Sequence, residues 1–162
     1  MTTLSVWKFE TAEDAQGTLD RLLDMQKQQL IQINDAAVVS WPTGKKRPRT
    51  DNYGSMVGKG MVSGAFWGML FGLIFFVPLF GMAFGAAMGA FSGKFVDYGI
   101  NDNFIKKVRQ EVTEGTSALF LLTSSAVRDR IVEEFKDVSV ELIHSNLSKE
   151  EEATLMEEFG TS

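Results

Sequence analysis

Residues 56–96 read MVGKGMVSGAFWGMLFGLIFFVPLFGMAFGAAMGAFSGKFV, and the organisation of the whole chain turns on what this stretch is. It holds two ladders of glycine at four-residue spacing: Gly60, Gly64, Gly68 and Gly72, then Gly81, Gly85, Gly89 and Gly93. Between them stands Phe76-Val77-Pro78-Leu79, which carries the only proline of the stretch and is the natural place for a reversal. Side chains four apart share one face of an α-helix, so each ladder predicts a groove along its helix. An interior glycine costs a helix in water about 1 kcal/mol relative to alanine, and eight of them require a compensating gain. Close backbone approach between apolar helices, as in small-xxx-small packing, supplies one. The stretch therefore predicts a helical hairpin with two glycine-zipper faces, turning at Pro78.

No residue from Gly60 to Gly93 is charged. Each arm of roughly 16–20 residues spans about 25–30 Å, which approaches a hydrocarbon core of about 30 Å. The expectation is a membrane-embedded hairpin whose first arm, with Phe66, Trp67, Met69, Leu70, Phe71, Leu73, Ile74, Phe75 and Phe76, faces lipid. The second arm adds Ala86 and Ala90 among its glycines. Being small on more than one face, it accepts a neighbour from a second copy, so the expected partner is the chain itself as a homo-oligomer. Lys45, Lys46, Arg47 and Arg49 precede the hairpin, and Lys59 and Lys94 close its arms. Basic residues beside short apolar segments stay cytoplasmic, which predicts a membrane-surface role for these six and cytoplasmic chain ends. Two other readings stay open. In one, the hairpins bury each other inside a soluble self-assembling particle. In the other, second arms surround a pore, although Ser63 and Ser92 are its only polar lining.

The 162 residues suffice for one ordinary domain plus this insertion. A net charge of −5 argues against nucleic acid as a partner, since phosphate contacts need a basic surface. The absence of cysteine excludes disulfides, Fe–S clusters and a thiol nucleophile. The start, MTTLSVWKFETAEDA, shows no basic region followed by an apolar run, so no cleaved signal peptide is expected.

In chain order, Leu4–Phe9 alternates as a half-buried strand, and Thr11 reads as the N-cap of a helix through Leu19, Leu22 and Leu23. Ile31–Trp41 reads as a second strand, closed by Pro42-Thr43-Gly44. Lys45–Gly54 reads as a polar loop or short strand extension. After the hairpin, Asn101 or Asp102 caps a helix at Asn103–Val112 with Phe104, Ile105, Val108 and Val112 on its apolar face. Ser117–Thr123 is a continuous apolar run, as in a central strand buried on both faces. A helix through Phe135, a strand at Val138–His144, and a short helix opened by the capping box Ser148/Glu151 complete the chain. The order predicts an α+β fold: a ferredoxin-like split βαβ domain, with a four-stranded antiparallel sheet, two helices on one face, and the hairpin inserted at its midpoint. The segments are then 1–55 (first βαβ half and basic loop), 56–96 (apolar hairpin) and 97–162 (extra helix, second βαβ half, terminal helix).

Chemistry is sparse. His144 is the only histidine, with Ser145 and Asn146 beside it, and suits a surface or capping role better than a metal. Asp97 and Asp102 are too few for a metal site. Glu150, Glu151 and Glu152 suit a first helical turn. Gly58, Gly60 and Gly64 lack the Gly-Lys-Ser/Thr of a phosphate loop. The expectation is a non-enzymatic protein with no catalytic residue, no cofactor, no metal and no small-molecule substrate, and with membrane lipid as a second partner.

Asp35-Ala36-Ala37-Val38-Val39, Gly64-Ala65-Phe66-Trp67-Gly68 inside the hairpin, and Ser92-Gly93-Lys94 together resemble a bacterial family known as DUF1269. Asp97-Tyr98-Gly99-Ile100, Phe104-Ile105 and Gly115–Phe120 extend the likeness over nearly the whole chain, and the charged Lys45–Arg49 loop departs from it. The resemblance implies a predicted membrane protein of unknown function and brings no catalytic residues. Combined with the charge pattern, it leads to an expected location in the bacterial inner membrane, with the soluble domain and both termini cytoplasmic.

Overall fold

The computed structural model describes residues 1–58, 60–77, 94–138 and 140–161. Five strands, β1 (Thr2–Phe9), β2 (Asp35–Ser40), β3 (Arg49–Asn52), β4 (Ser117–Ser124) and β5 (Glu141–Leu147), make one antiparallel sheet in the order β3-β2-β4-β1-β5. The fold is α+β. The apolar run of β4 takes the centre, where Phe120 lies opposite Val6 on one side and Ala37 on the other. Alternate residues of a strand point to opposite faces, so a strand apolar at every position needs a cover on both.

Both faces are covered. Leu119 and Leu121 join Trp7, Phe9, Ala36 and Val38 beneath the first pair of helices, α1 (Asp14–Lys27) and, after β4, the Ser125–Glu134 helix with Ile131 inward. Ala118, Phe120 and Leu122 join Leu4, Val6, Ala37 and Val39 on the second face. That face is closed by α2 (Gly64–Phe71), α3 (Asp102–Glu111) and the C-terminal helix Lys149–Phe159 through Leu155. In chain order the last two helices, Ser125–Glu134 and Lys149–Phe159, are α4 and α5. Asn101 caps α3 by accepting from the Phe104 amide at 2.9 Å, and Ser148 and Glu151 form the expected capping box on α5.

The first half of the quoted stretch is part of this core. Phe66, Trp67, Leu70 and Phe71 of α2, followed by Leu73, Ile74 and Phe75 of a π-helical turn (Gly72–Phe76), are buried on the second face of the sheet. They do not face lipid. The 8 residues of α2 and 5 of the turn rise only about 20 Å, and among the described residues no helix is long and apolar enough to cross a membrane. This overturns the embedded hairpin with its transmembrane helices. The bacterial inner-membrane location with cytoplasmic termini rested on the same span and falls with it. The physical cause is that a helix sealing a two-faced sheet needs the same large apolar side chains as a helix facing lipid.

Other expectations shift more modestly. β1 is buried on both faces rather than half-buried, because Ser5 accepts from Trp7 Nε1 at 2.9 Å and Thr3 donates to Asn146 at 2.7 Å. Helix α1 starts after Glu13 without a side-chain cap, and the Thr11 carbonyl instead accepts from Ser117 Oγ. Strand β5 begins three residues later than Val138, which sits exposed in a turn bonded back to Phe135. The short extension within 45–54 becomes β3, a fifth strand. Both faces of the sheet carry helices, not one.

Candidate functional site

The site is the apolar segment and the groups that fix it to the sheet. At its start, the Asp35 carboxylate is fully buried at the first position of β2. Its Oδ2 accepts from the Val62 amide at 2.9 Å, while Oδ1 accepts from Trp67 Nε1 at 3.1 Å and the Ala36 amide at 2.8 Å. Burial pushes this carboxyl above its ordinary 3.8, and the donated bonds from Val62, Trp67, Ala36 and Met61 pull in the opposite direction. Two glycines make room for it. A Cβ on Gly60 would lie 2.9 Å from both Asp35 Oδ2 and Gly54 Cα, and Gly60 also holds a left-handed φ of 78°.

The C-terminus holds the same entry from the outside. The Ser63 amide donates to the Phe159 carbonyl at 2.8 Å, Val62 bridges Gly160, and Thr161 Oγ1 donates to the Gly60 carbonyl. At the far end, Arg109 of α3 donates from Nε to the Ile74 carbonyl at 3.0 Å and from Nη2 to the Leu73 carbonyl at 2.6 Å. Both carbonyls belong to the π-helical turn Gly72–Phe76, and the planar guanidinium reaches them with two N–H groups at once. Between these anchors runs an aromatic chain: Phe66 packs on Trp67, Phe95 and Phe159, and Phe71 on Trp67, Phe75 and Phe120.

The outward face of α2 is small. Gly64, Ala65 and Gly68 are exposed, and a Cβ on Gly68 would meet nothing within 4 Å. Gly60 stands before the helix, so the helical part of the first ladder is Gly64, Gly68 and the buried Gly72. Lys59, Pro78, Gly81, Gly85, Gly89, Gly93, Ala86 and Ala90 lie outside the described residues, and the reversal and second ladder fall there. Lys45, Lys46, Arg47 and Arg49 are exposed around the β2–β3 turn, where Trp41 Nε1 donates to the Lys45 carbonyl at 2.9 Å. The Trp41 ring sits edge-on to Phe75 at 6.3 Å, at the end where the segment leaves α2. Lys94 instead adjoins Phe95, which packs on Phe66 at the opposite end. The described basic residues are thus divided between the two ends of α2.

His144 is exposed within β5, and among the described residues no group of acids or histidines has the arrangement of a metal site. Asp35 and Arg109 are the functional residues that sequence reasoning missed. The available signals were a single acid at the head of an apolar strand facing a glycine-rich loop, and a basic residue in the last turn of α3. No curated protein and no solved structure matches the chain. A family model described as "Protein of unknown function (DUF1269)" matches residues 61–160, from the entry of α2 to the end of α5 and over more than half of the sequence. The chain belongs to the DUF1269 family.

Proposed function

We propose that this is a non-enzymatic self-assembling protein, in which the sheet domain holds out an apolar segment that is buried between copies. The observation that carries it is the two-sided character of α2: the inner face is fixed by Asp35, Arg109 and the aromatic chain, while the outer face offers Gly64, Ala65 and Gly68. The 16 residues that follow, 78–93, contain no charge and keep small residues at four-residue spacing. Apolar surface of that extent needs a partner in water.

The glycines act as packing faces in this reading, with Gly64 and Gly68 on the exposed side of α2. The domain itself is read as ferredoxin-like, since β2-β4-β1-β5 is the strand order of a split βαβ unit and β3 is an addition at its edge.

The test is native sizing without detergent, together with Gly68→Leu. Open space at Gly68 means that leucine fits the isolated domain and gains about 1 kcal/mol of helix propensity. The expected result is a defined multimer for the natural chain, and a folded domain of equal or greater stability that no longer assembles for Gly68→Leu. A monomeric natural chain, or a variant that assembles normally, would sink the proposal.

A further inference from the structure

The two edges of the sheet are built differently. β3 has four residues, follows Pro48 and the exposed run Lys45-Lys46-Arg47, and pairs Arg49 with Asp51 at 3.0 Å. Shortness, charge and proline are the means by which an edge is kept from pairing with another chain. β5 is longer, lacks proline and is charged only at its first residue. Its seven residues, ELIHSNL, extend about 20–24 Å and contain no lysine or arginine.

One edge of β5 pairs with β1, from Lys8 opposite Glu141 to Thr2 opposite Leu147. Along the other edge, no backbone group is paired among the described residues. The strand is nonetheless held firmly. Ile143 and Leu147 are buried in the core, Ser145 Oγ donates to the Gly99 carbonyl, and Asn146 Oδ1 accepts from Thr3 Oγ1 at 2.7 Å and Arg128 Nη1 at 2.9 Å. Side chains that would otherwise be free are committed to the strand's own domain, and a straight row of backbone donors and acceptors is left.

We infer that the outer edge of β5 is an interaction surface for a second copy of this chain, paired antiparallel about His144 so that the two sheets become continuous. The strand is complementary to itself in that register. Glu141 falls against Leu147, Leu142 against Asn146, Ile143 against Ser145, and His144 against its own counterpart, so no carboxylate meets another. A two-fold pair of this kind closes on itself, as an isologous contact does. The edge is a different surface from the outward face of α2. The inference therefore goes beyond assembly through the apolar segment, and either contact can fail alone.

The natural chain has no cysteine, so His144→Cys introduces its only thiol at an exposed position. Directly opposed Cα atoms of an antiparallel pair lie about 4.5–5.5 Å apart, within the roughly 4.4–6.8 Å that a disulfide spans. Glu10→Cys, exposed just past the end of β1, is the control. Under mild oxidation at low protein concentration, the 144 variant should form a covalent dimer about ten-fold faster than the control, because pairing raises the local thiol concentration. His144→Lys, which sets two ammonium groups face to face, should lower the paired fraction several-fold at low salt. Equal linking at positions 144 and 10, or an unchanged paired fraction in His144→Lys, would overturn the inference. A large native particle without linking at 144 defeats the edge contact alone. Linked dimers without a larger particle defeat assembly through the apolar segment alone.

Discussion

Replacing Asp35 by asparagine sets two effects of opposite sign against each other. The carboxylate is fully buried, and burial raises its pKa, so removing the charge relieves a desolvation cost. Asparagine, however, offers one acceptor oxygen where the site uses two. With its oxygen at the Oδ1 position it keeps the Trp67 and Ala36 bonds, but its amide then points two hydrogens at the Val62 N–H, 2.9 Å away. Val62 cannot turn aside, because Met61 is bonded to Asn34 and Ser63 to Phe159 on either side of it. A buried donor without an acceptor costs about 1–3 kcal/mol. Relief of the desolvation cost offsets part of this. The expected net loss for Asp35→Asn is about 1 kcal/mol, and for Asp35→Ala, which orphans three N–H groups, about 3 kcal/mol or more. Urea unfolding at fixed protein concentration measures both.

The pH dependence gives an independent check. The folded state holds the Asp35 proton to a higher pH than the unfolded state does, so the unfolded state binds fewer protons in the interval from 3.8 up to the raised value. Stability contributed by this group therefore falls as pH rises through that interval and is level above it. The natural chain should lose stability relative to Asp35→Asn as pH climbs through the window. An asparagine variant as stable as the natural chain at neutral pH, or a slope of the opposite sign, would refute the donor argument.

Two further substitutions probe the other supports of α2. Arg109→Met removes both donors to the Leu73 and Ile74 carbonyls and should cost about 1.5–3 kcal/mol. Hydrogen exchange should accelerate in residues 72–77 while β4 stays protected. Gly60→Ala places a Cβ 2.9 Å from Gly54 Cα at a left-handed φ and should cost 2 kcal/mol or more, roughly, whereas Gly17→Ala, with nothing within 4 Å in helix α1, should gain about 1 kcal/mol. Thermal melts of the pair should move in opposite directions.

Much of the domain was legible because the local signals agreed with the fold. The apolar run at Ser117–Thr123 marked β4 as a strand buried on both faces, and the Phe104, Ile105, Val108 spacing and Ser148/Glu151 pair marked α3 and α5 within a residue or two. The misses have a common origin, which is polar groups satisfied by distant partners. Ser5 and Lys8 gave Leu4–Phe9 the alternation of a strand with one wet face, yet Ser5 is buried because Trp7 meets its hydrogen-bonding need, and Thr3, buried one turn of the pleat earlier, is met by Asn146. Asp35 fell within the strand expected at Ile31–Trp41 and drew no role of its own, although two of its donors come from 27 and 32 positions away. Arg109 drew no reading at all, being off the apolar face of its helix, yet it reaches carbonyls 35 and 36 positions away.

The error about the membrane is the most instructive, since the information that corrects it was present in the strands. Hydrophobicity alone does not separate a helix that meets lipid from one that meets a sheet, because both present large apolar side chains. Demand for a cover does separate them. Leu119 and Leu121 face one side of β4, and α1 and α4 supply apolar residues enough to close it. Ala118, Phe120 and Leu122 face the other side, joined there by Leu4, Val6, Ala37 and Val39, and α3 and α5 together bring only Phe104, Ile105, Val108 and Leu155 as fully inward residues. Phe95, Tyr98, Ile100 and Val112 add to the cover, and the rest is sealed by the segment that opens at Val62. Once Phe66, Trp67, Leu70, Phe71 and Ile74 are assigned to that task, they have no side left for lipid, and what α2 turns outward is glycine and alanine. A face of that kind suits another helix at close range, which is what the proposed assembly through α2 requires.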